Sequence, residues 1–135
     1  VAIMLGTVAR IFSKKNHQGV IARIAPIKFY NIDSFSDVLE KSNNPFVLIL
    51  DQISDVRNFG AIIRTAEISG VDGIIIQNSS SAPVNSDTIK TSAGAIFNIP
   101  ICKVNHIKDA IYHLQSMNIS IISASEKSEE KEFAA

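Results

Sequence analysis

From about residue 45 the chain alternates short apolar runs with segments whose apolar residues recur at helical spacing. Pro45 leads into Phe46-Val47-Leu48-Ile49-Leu50, a continuous run rich in β-formers. Such a run predicts a strand covered on both faces, as in a parallel sheet. Phe59, Ile62, Ile63 and Ala66 then fall on one side of a helix that Asp55 or Asn58 can cap. Gly70 stands where a left-handed residue would end that helix. Gly73-Ile74-Ile75-Ile76-Gln77 predicts a second buried strand, and Asn78-Ser79-Ser80-Ser81 a loop. Asn85, Ser86 or Asp87 can cap a helix through Ile89 and Ser92. Ile101 to Val104 is a short strand after Pro100, and Ile107, Ala110, Ile111 and Leu114 mark a third helix. Ile119-Ser120-Ile121-Ile122 predicts a fourth strand.

Strands alternating with helices at this interval predict an α/β fold, a mostly parallel sheet with flanking helices and right-handed crossovers. In such sheets ligands bind beyond the carboxyl ends of the strands. Here those ends are the loops at 51–58, 77–86, 104–107 and 123–130.

Residues 1–44 differ. Gln18 to Ala25 predicts a strand, and Ser34 can cap a short helix carrying Phe35, Val38 and Leu39. This region is too small to fold alone. We read 1–28 as the end of a preceding domain, 29–45 as a connection, and 46–135 as the main domain. Glu126 to Glu132 is acid-rich and predicts a solvated loop.

Composition changes this picture little. Hydrophobic residues make up 46% of the 135, which argues for a packed core and against disorder. Formal net charge is zero, so no global field announces nucleic acid. The distribution says more: Arg10, Lys14, Lys15, Arg23 and Lys28 precede the first acidic residue, Asp33. That stretch can meet phosphates, or it is an ordinary basic surface. Cys102 is the single cysteine, so no internal disulfide forms, and a reducing, cytoplasmic location is expected. No apolar run approaches the roughly 20 residues of a membrane span, so no membrane partner is expected.

The sharpest chemical signal is Leu50-Asp51-Gln52-Ile53-Ser54-Asp55-Val56-Arg57-Asn58-Phe59-Gly60-Ala61-Ile62-Ile63-Arg64-Thr65-Ala66-Glu67. It follows a strand and opens a helix. Arg57, Arg64 and Glu67 can share one helix face beside the core face. Asn58 lies at the helix start, where free N–H groups favour a phosphate. The same spacing also describes a capped helix with a solvated Arg–Glu pair.

This stretch resembles motif 1 of the SpoU/TrmH (SPOUT) RNA 2′-O-methyltransferases, matching at Asp55, Asn58, Gly60, Arg64, Thr65, Ala66 and Glu67. Val56 stands where proline is usual. Proline there mainly pre-sets φ, so the change should matter little. Downstream, Asp87 to Pro100 resembles the family's Lys-x-Ser-x-Gly-Ala segment through Lys90, Ser92, Gly94 and Ala95. Gly94 would allow close packing or a turn. Asn16-His17-Gln18-Gly19 is similar to a segment that ends a small RNA-binding domain in the ribosomal-RNA branch.

The resemblance implies methyl transfer from S-adenosylmethionine to a ribose 2′-hydroxyl, most of all a guanosine of 23S ribosomal RNA. It implies catalytic roles for Arg64, Asn58 and Glu67, with Asn58 orienting ribose or Arg64 and Glu67 fixing an arginine's rotamer. RNA contacts would fall to Arg57, Lys90, Ser92, His17, Lys14 and Lys15. Ser123 and Ala124 would sit on a cofactor loop. A homodimer is implied. The alternatives are a non-catalytic RNA-binding module and a transfer-RNA 2′-O-methyltransferase of the same family. The family's third motif, a Gly-x-Glu loop followed by a Ser-Leu-Asn-Val helix, is not found in these 135 residues. A trefoil knot is therefore expected only in a longer chain, and these residues alone are expected not to bind the donor.

Other candidates are weaker. His106 and His113 lie seven apart with no third ligand near, so no metal site is expected. Cys102 reads as inert core. No Gly-x-Gly-x-x-Gly follows a strand, which disfavours a dinucleotide-dependent dehydrogenase.

Overall fold

In a computed structural model, residues 26–124 are described, together with the backbone of β1 (Ala2–Ile3) and β2 (Ala22–Arg23). These two strands pair antiparallel, Ala2 opposite Arg23 and Ile3 opposite Ala22. The strand expected over 18–25 is described only at that pair, and the loop expected over 126–132 lies outside the described residues.

The main sheet has four strands: β3 (Phe29–Tyr30), β4 (Val47–Leu50), β5 (Gly73–Gln77) and β6 (Ile101–Val104). Their order is β3-β6-β5-β4, and every pairing is parallel, as the alternating pattern predicts. Side chains alternate across the pleat. Leu50, Ile74, Ile76 and Ile101 therefore enter one core, and Ile75, Cys102 and Val104 enter the other.

Among the described residues, four helices cover the two faces. α1 (Ile32–Leu39) sends Phe35 and Leu39 into the second core, beside Ala110 and Leu114 of α4 (Ile107–Ser116). α2 (Val56–Ile68) sends Phe59, Ile63 and Ala66 into the first. α3 (Ser86–Thr91) and a short 3₁₀ turn (Ala95–Phe97) complete that side, with Ala95 and Ile96 buried. Burying such side chains contributes about 1.5–3 kcal/mol each against leaving them exposed.

Local chemistry accounts for most boundaries. Asp55 caps α2, its carboxylate accepting the Asn58 N–H at 2.8 Å. Gly70 follows α2 at φ 73° as the left-handed residue the pattern calls for. Asn85 caps α3 in a reciprocal box with Thr88. Gly94 takes φ 84° with open space around it, so it serves the turn, not close packing.

Three expectations need correction. First, β4 is half-buried for most of its length, not covered on both faces, because among the described residues it lies at the sheet's edge. Second, the expected fourth strand does not form. Ile119 and Ile121 pack against the second core while Ser120 and Ile122 face outward, which is strand-like alternation. No strand among the described residues pairs with it, and alternation without a ladder is not a strand. Third, Asn31, not Ser34, caps α1; its side chain accepts from Ser34 N at 2.8 Å and Ser34 Oγ at 2.7 Å. Among the described residues, 29–45 also supplies an edge strand and a core-packed helix. Two strand residues carry too little periodicity to be recognised alone.

Candidate functional site

The polar stretch after β4 begins with a reversal of the chain. Gln52 adopts φ 55°, which few non-glycine residues do without support. The support comes from the next turns. Ile53 packs on the first core, and its carbonyl accepts the Ala82 N–H at 2.8 Å. The loop is thus pinned to the loop after β5. α2 starts at Val56 under the Asp55 cap, so a proline is not needed there to begin the helix.

Along α2 the core side is set by Phe59, Ile63 and Ala66. The opposite side exposes Arg57, Ala61, Arg64, Thr65 and Ile68. Arg57 and Arg64, seven residues apart, stack on one stripe about 20° wide. Asn58 is also exposed, but it lies roughly 120° around the helix from Arg64 and ~9 Å back along the axis. The two do not overlay. Helical side chains lean toward the amino end, so Arg64 leans back along its own stripe, the one Arg57 occupies, and not around the helix to Asn58.

One expected feature fails. The helix start is not an open anion site at Asn58, because Asp55 already occupies that N–H. Its negative charge also disfavours a phosphate at the same place. What Asn58 offers is its side-chain amide.

Glu67 is half-buried and accepts a short hydrogen bond from Asn98 Nδ2, at the end of the 3₁₀ turn. The expected arginine partner is thus replaced by an amide from a segment about 30 residues away. No local pattern singles out Asn98; only the packing of the turn on α2 brings it there.

The second matching segment divides sharply. Lys90 is exposed on α3. Ser92, expected to face RNA, is wholly buried and donates from Oγ to Ile89 O at 3.1 Å. Its role is packing, because no surface of it is left for a ligand. Thr88 is equally buried and donates to Pro83 O at 2.8 Å. Gly60 shows why this segment matters to α2. A Cβ there would lie 1.9 Å from Thr91 Oγ1, so only glycine lets α3 approach this closely.

Ser123 and Ala124 are exposed at the end of the described residues. His17, Lys14 and Lys15 lie outside them. His106 caps α4 without a side-chain hydrogen bond. His113 Nε2 lies 2.7 Å from Ser36 Oγ. Ser36 Oγ also lies 2.9 Å from Ile32 O, so the hydroxyl bridges α1 and α4. Cys102 is fully buried, and burial pushes its thiol from 9.0 up to about 11, as expected of inert core. No helix among the described residues is long and apolar enough to cross a membrane.

The profile of the SpoU rRNA methylase family matches residues 45–134. The 23S rRNA (guanosine-2′-O-)-methyltransferase RlmB of Vibrio vulnificus is 37% identical over 107 residues, covering 79% of this chain and 43% of that protein. RlmB of Escherichia coli K12 is 35% identical over 106 residues, covering 78% and 44%. Among solved structures, the AdoMet-bound rRNA methyltransferase from Sinorhizobium meliloti is similar at TM-score 0.55 and 26% identity, over 81% of this chain and 40% of that one. The AdoMet complex of AviRb from Streptomyces viridochromogenes shares the fold at TM-score 0.54 and 18% identity, over 73% and 35%. The chain spans less than half the length of the curated relatives it matches.

Proposed function

Because the chain belongs to the SpoU rRNA methylase family, we propose that it forms part of an enzyme that methylates a ribose 2′-hydroxyl of 23S ribosomal RNA, at a guanosine. The observation that carries this reading is the placement of Arg64. It is solvent-exposed on a helix launched from a strand's carboxyl end, on the same stripe as Arg57, with Asn58 exposed in the first turn.

The chemistry asks for an activated hydroxyl held in line with a methyl group. A guanidinium is effectively always protonated, so Arg64 is poorly suited to remove a proton. It is well suited to stabilise the negative charge that develops on the 2′-oxygen, or to hold the adjacent phosphate. Asn58 supplies one donor and one acceptor to orient the ribose. Glu67, held by Asn98, limits how the C-terminal half of α2 can shift against the 3₁₀ turn. Arg57 and Lys90 are exposed cations for neighbouring phosphates.

S-adenosylmethionine would supply the methyl group. Ser123 and Ala124 fit part of its site. They are exposed, one carries a hydroxyl and the other a methyl, and among the described residues no backbone hydrogen bond occupies their peptide groups. These groups can meet an adenine edge. A homodimer belongs to the same reading. Phe46, 53% exposed, lines a cleft of about 380 Å³ with Leu48, Ile62 and Val71, and Ile68 is 79% exposed on α2. Exposed apolar surface of this kind suits a protein contact.

The test is genetic. A strain lacking the gene should lose one 2′-O-methylguanosine from 23S ribosomal RNA, read by mass spectrometry of nuclease fragments. The wild-type gene should restore it and Arg64→Ala should not. Full restoration by Arg64→Ala would remove this residue from the mechanism, and an unchanged methylation pattern in the deletion strain would end the reading.

A further inference from the structure

The β3 side of the sheet carries a feature that the methyl-transfer reading leaves unused. Among the described residues β3 pairs only with β6, and no described strand lies on its other side. Both faces of this strand hold a lysine over an aromatic ring. Lys103 Nζ lies 3.8 Å from the Phe29 ring centre, and Lys28 Nζ 5.1 Å from that of Tyr30. Two clefts of about 410 Å³ each flank the strand. One, at its amino end, is lined by Lys28, Tyr30, Phe97 and Asn98. The other, at its carboxyl end, is lined by Asn31, Asn78, Lys103, Asn105 and His106. The charged residues lining the two are Lys28, Lys103 and Asp109.

We propose that this edge is a binding strip for unpaired nucleotides of RNA, with Phe97 as a stacking platform, Lys28 and Lys103 as phosphate contacts, and Asn78 and Asn105 as readers of base edges. The proposal rests on RNA being the partner. Phe97 is 47% exposed although the 3₁₀ turn that carries it is otherwise buried, and a base has a flat apolar face to cover it. Asn78 Nδ2 donates to Asn105 Oδ1 at 2.8 Å, and Gln77 Nε2 to Asn105 O at 2.9 Å. That clasp fixes the Asn105 amide and leaves its N–H₂ group and the Asn78 carbonyl to face a ligand, a donor and an acceptor side by side. Aromatics, lysines and amides interleaved in this way suit single strands, whose bases can splay out. An apolar peptide would leave the amides and ammonium groups without partners.

The position sets what the strip would hold. β3 is three strands from β4, about 14 Å across the sheet. α2, with Arg64, starts from the end of β4. The strip would therefore grip nucleotides flanking the methylated one, not the target itself.

The experiment measures binding of the full chain to a fluorescent unstructured oligouridylate and to an RNA duplex, over a salt series. Phe97→Ala should weaken single-strand binding about tenfold, and Phe97→Trp should keep it. Lys28→Ala with Lys103→Ala should flatten the slope of log affinity against log salt by about 1.4. All three should melt as wild type, since these side chains are at most half-buried. Unchanged affinity and slope in the Phe97 and lysine variants would overturn the strip, as would equal binding of duplex and single strand. Failure of the wild-type chain to bind any RNA would overturn it too. The methyl-transfer reading stands or falls separately, on the deletion strain.

Discussion

Replacing Gly60 by alanine tests whether the α2–α3 contact is read correctly, because helix propensity and packing predict opposite signs. Gly60 lies within the first turns of α2, where alanine is intrinsically better by about 1 kcal/mol. The structure says otherwise. The added methyl would sit 1.9 Å from Thr91 Oγ1, 2.7 Å from Thr91 Cβ and 3.0 Å from Ser92 N. Rotating Thr91 moves the hydroxyl away but sacrifices its 2.8 Å hydrogen bond to Asp87 O, a loss of roughly 1 kcal/mol. The Thr91 Cβ stays where it is in any rotamer, so α3 itself must shift. Overpacking of this kind costs about 1–3 kcal/mol. Set against the propensity gain, the net is a destabilisation of roughly 2 kcal/mol, or ~10 °C in Tm for a domain of this size. Thermal unfolding followed by circular dichroism, with urea midpoints alongside, measures it. Thr91→Gly removes the two closest contacts, so the cost of Gly60→Ala should shrink by at least about 1 kcal/mol in that background. A Gly60→Ala protein that melts at or above wild type, or that loses as much with Thr91→Gly as without it, would refute the packing argument.

Three further outcomes follow from particular contacts. Asp55→Ala removes the cap on α2 and should lower stability by about 1 kcal/mol in urea unfolding, while Asp55→Asn should retain most of it. Arg64→Ala, at an exposed position, should leave the urea midpoint within about 0.5 kcal/mol of wild type, so any loss of methylation is not a folding defect. Cys102 should resist iodoacetamide at neutral pH until the protein is unfolded, because its thiolate is about a hundredfold scarcer than that of an ordinary thiol. Since folding raises this pKa from 9.0 to about 11, the folded state favours the protonated thiol. Its contribution is complete below pH 9 and is lost as pH rises through 11. Cys102→Ala should remove that alkaline decline.

Much of the candidate site is legible from residue order. Asp55, Asn58 and Arg64 follow a β-forming run, and local rules alone place them on the first turns of a helix at a strand's carboxyl end. Ser92 shows where such reading stops. Its neighbour Lys90 is exposed and Ser92 is not, though both are polar residues within one matching segment. What separates them is α2, which packs over one side of α3 through Gly60. Glu67 shows the same limit: an arginine three residues away is the nearest partner by spacing, but a turn from another part of the chain delivers Asn98 instead.

By itself the order of residues determined the positions of the helices and of the runs that become β4, β5 and β6, that the strands run parallel, and which family the motif helix resembles. Those properties rest on interactions within a few residues: caps, turn conformations and the 3.6- and 2-residue periods. Tertiary structure alone decided the strand order, which puts the apolar run at β4 on an edge and the similar run at β5 in the middle. It also decided that Phe29 and Tyr30 join the sheet while 119–122 pairs with no described strand. A strand exists only through its neighbour's hydrogen bonds, and that neighbour is chosen by packing between segments far apart in the chain.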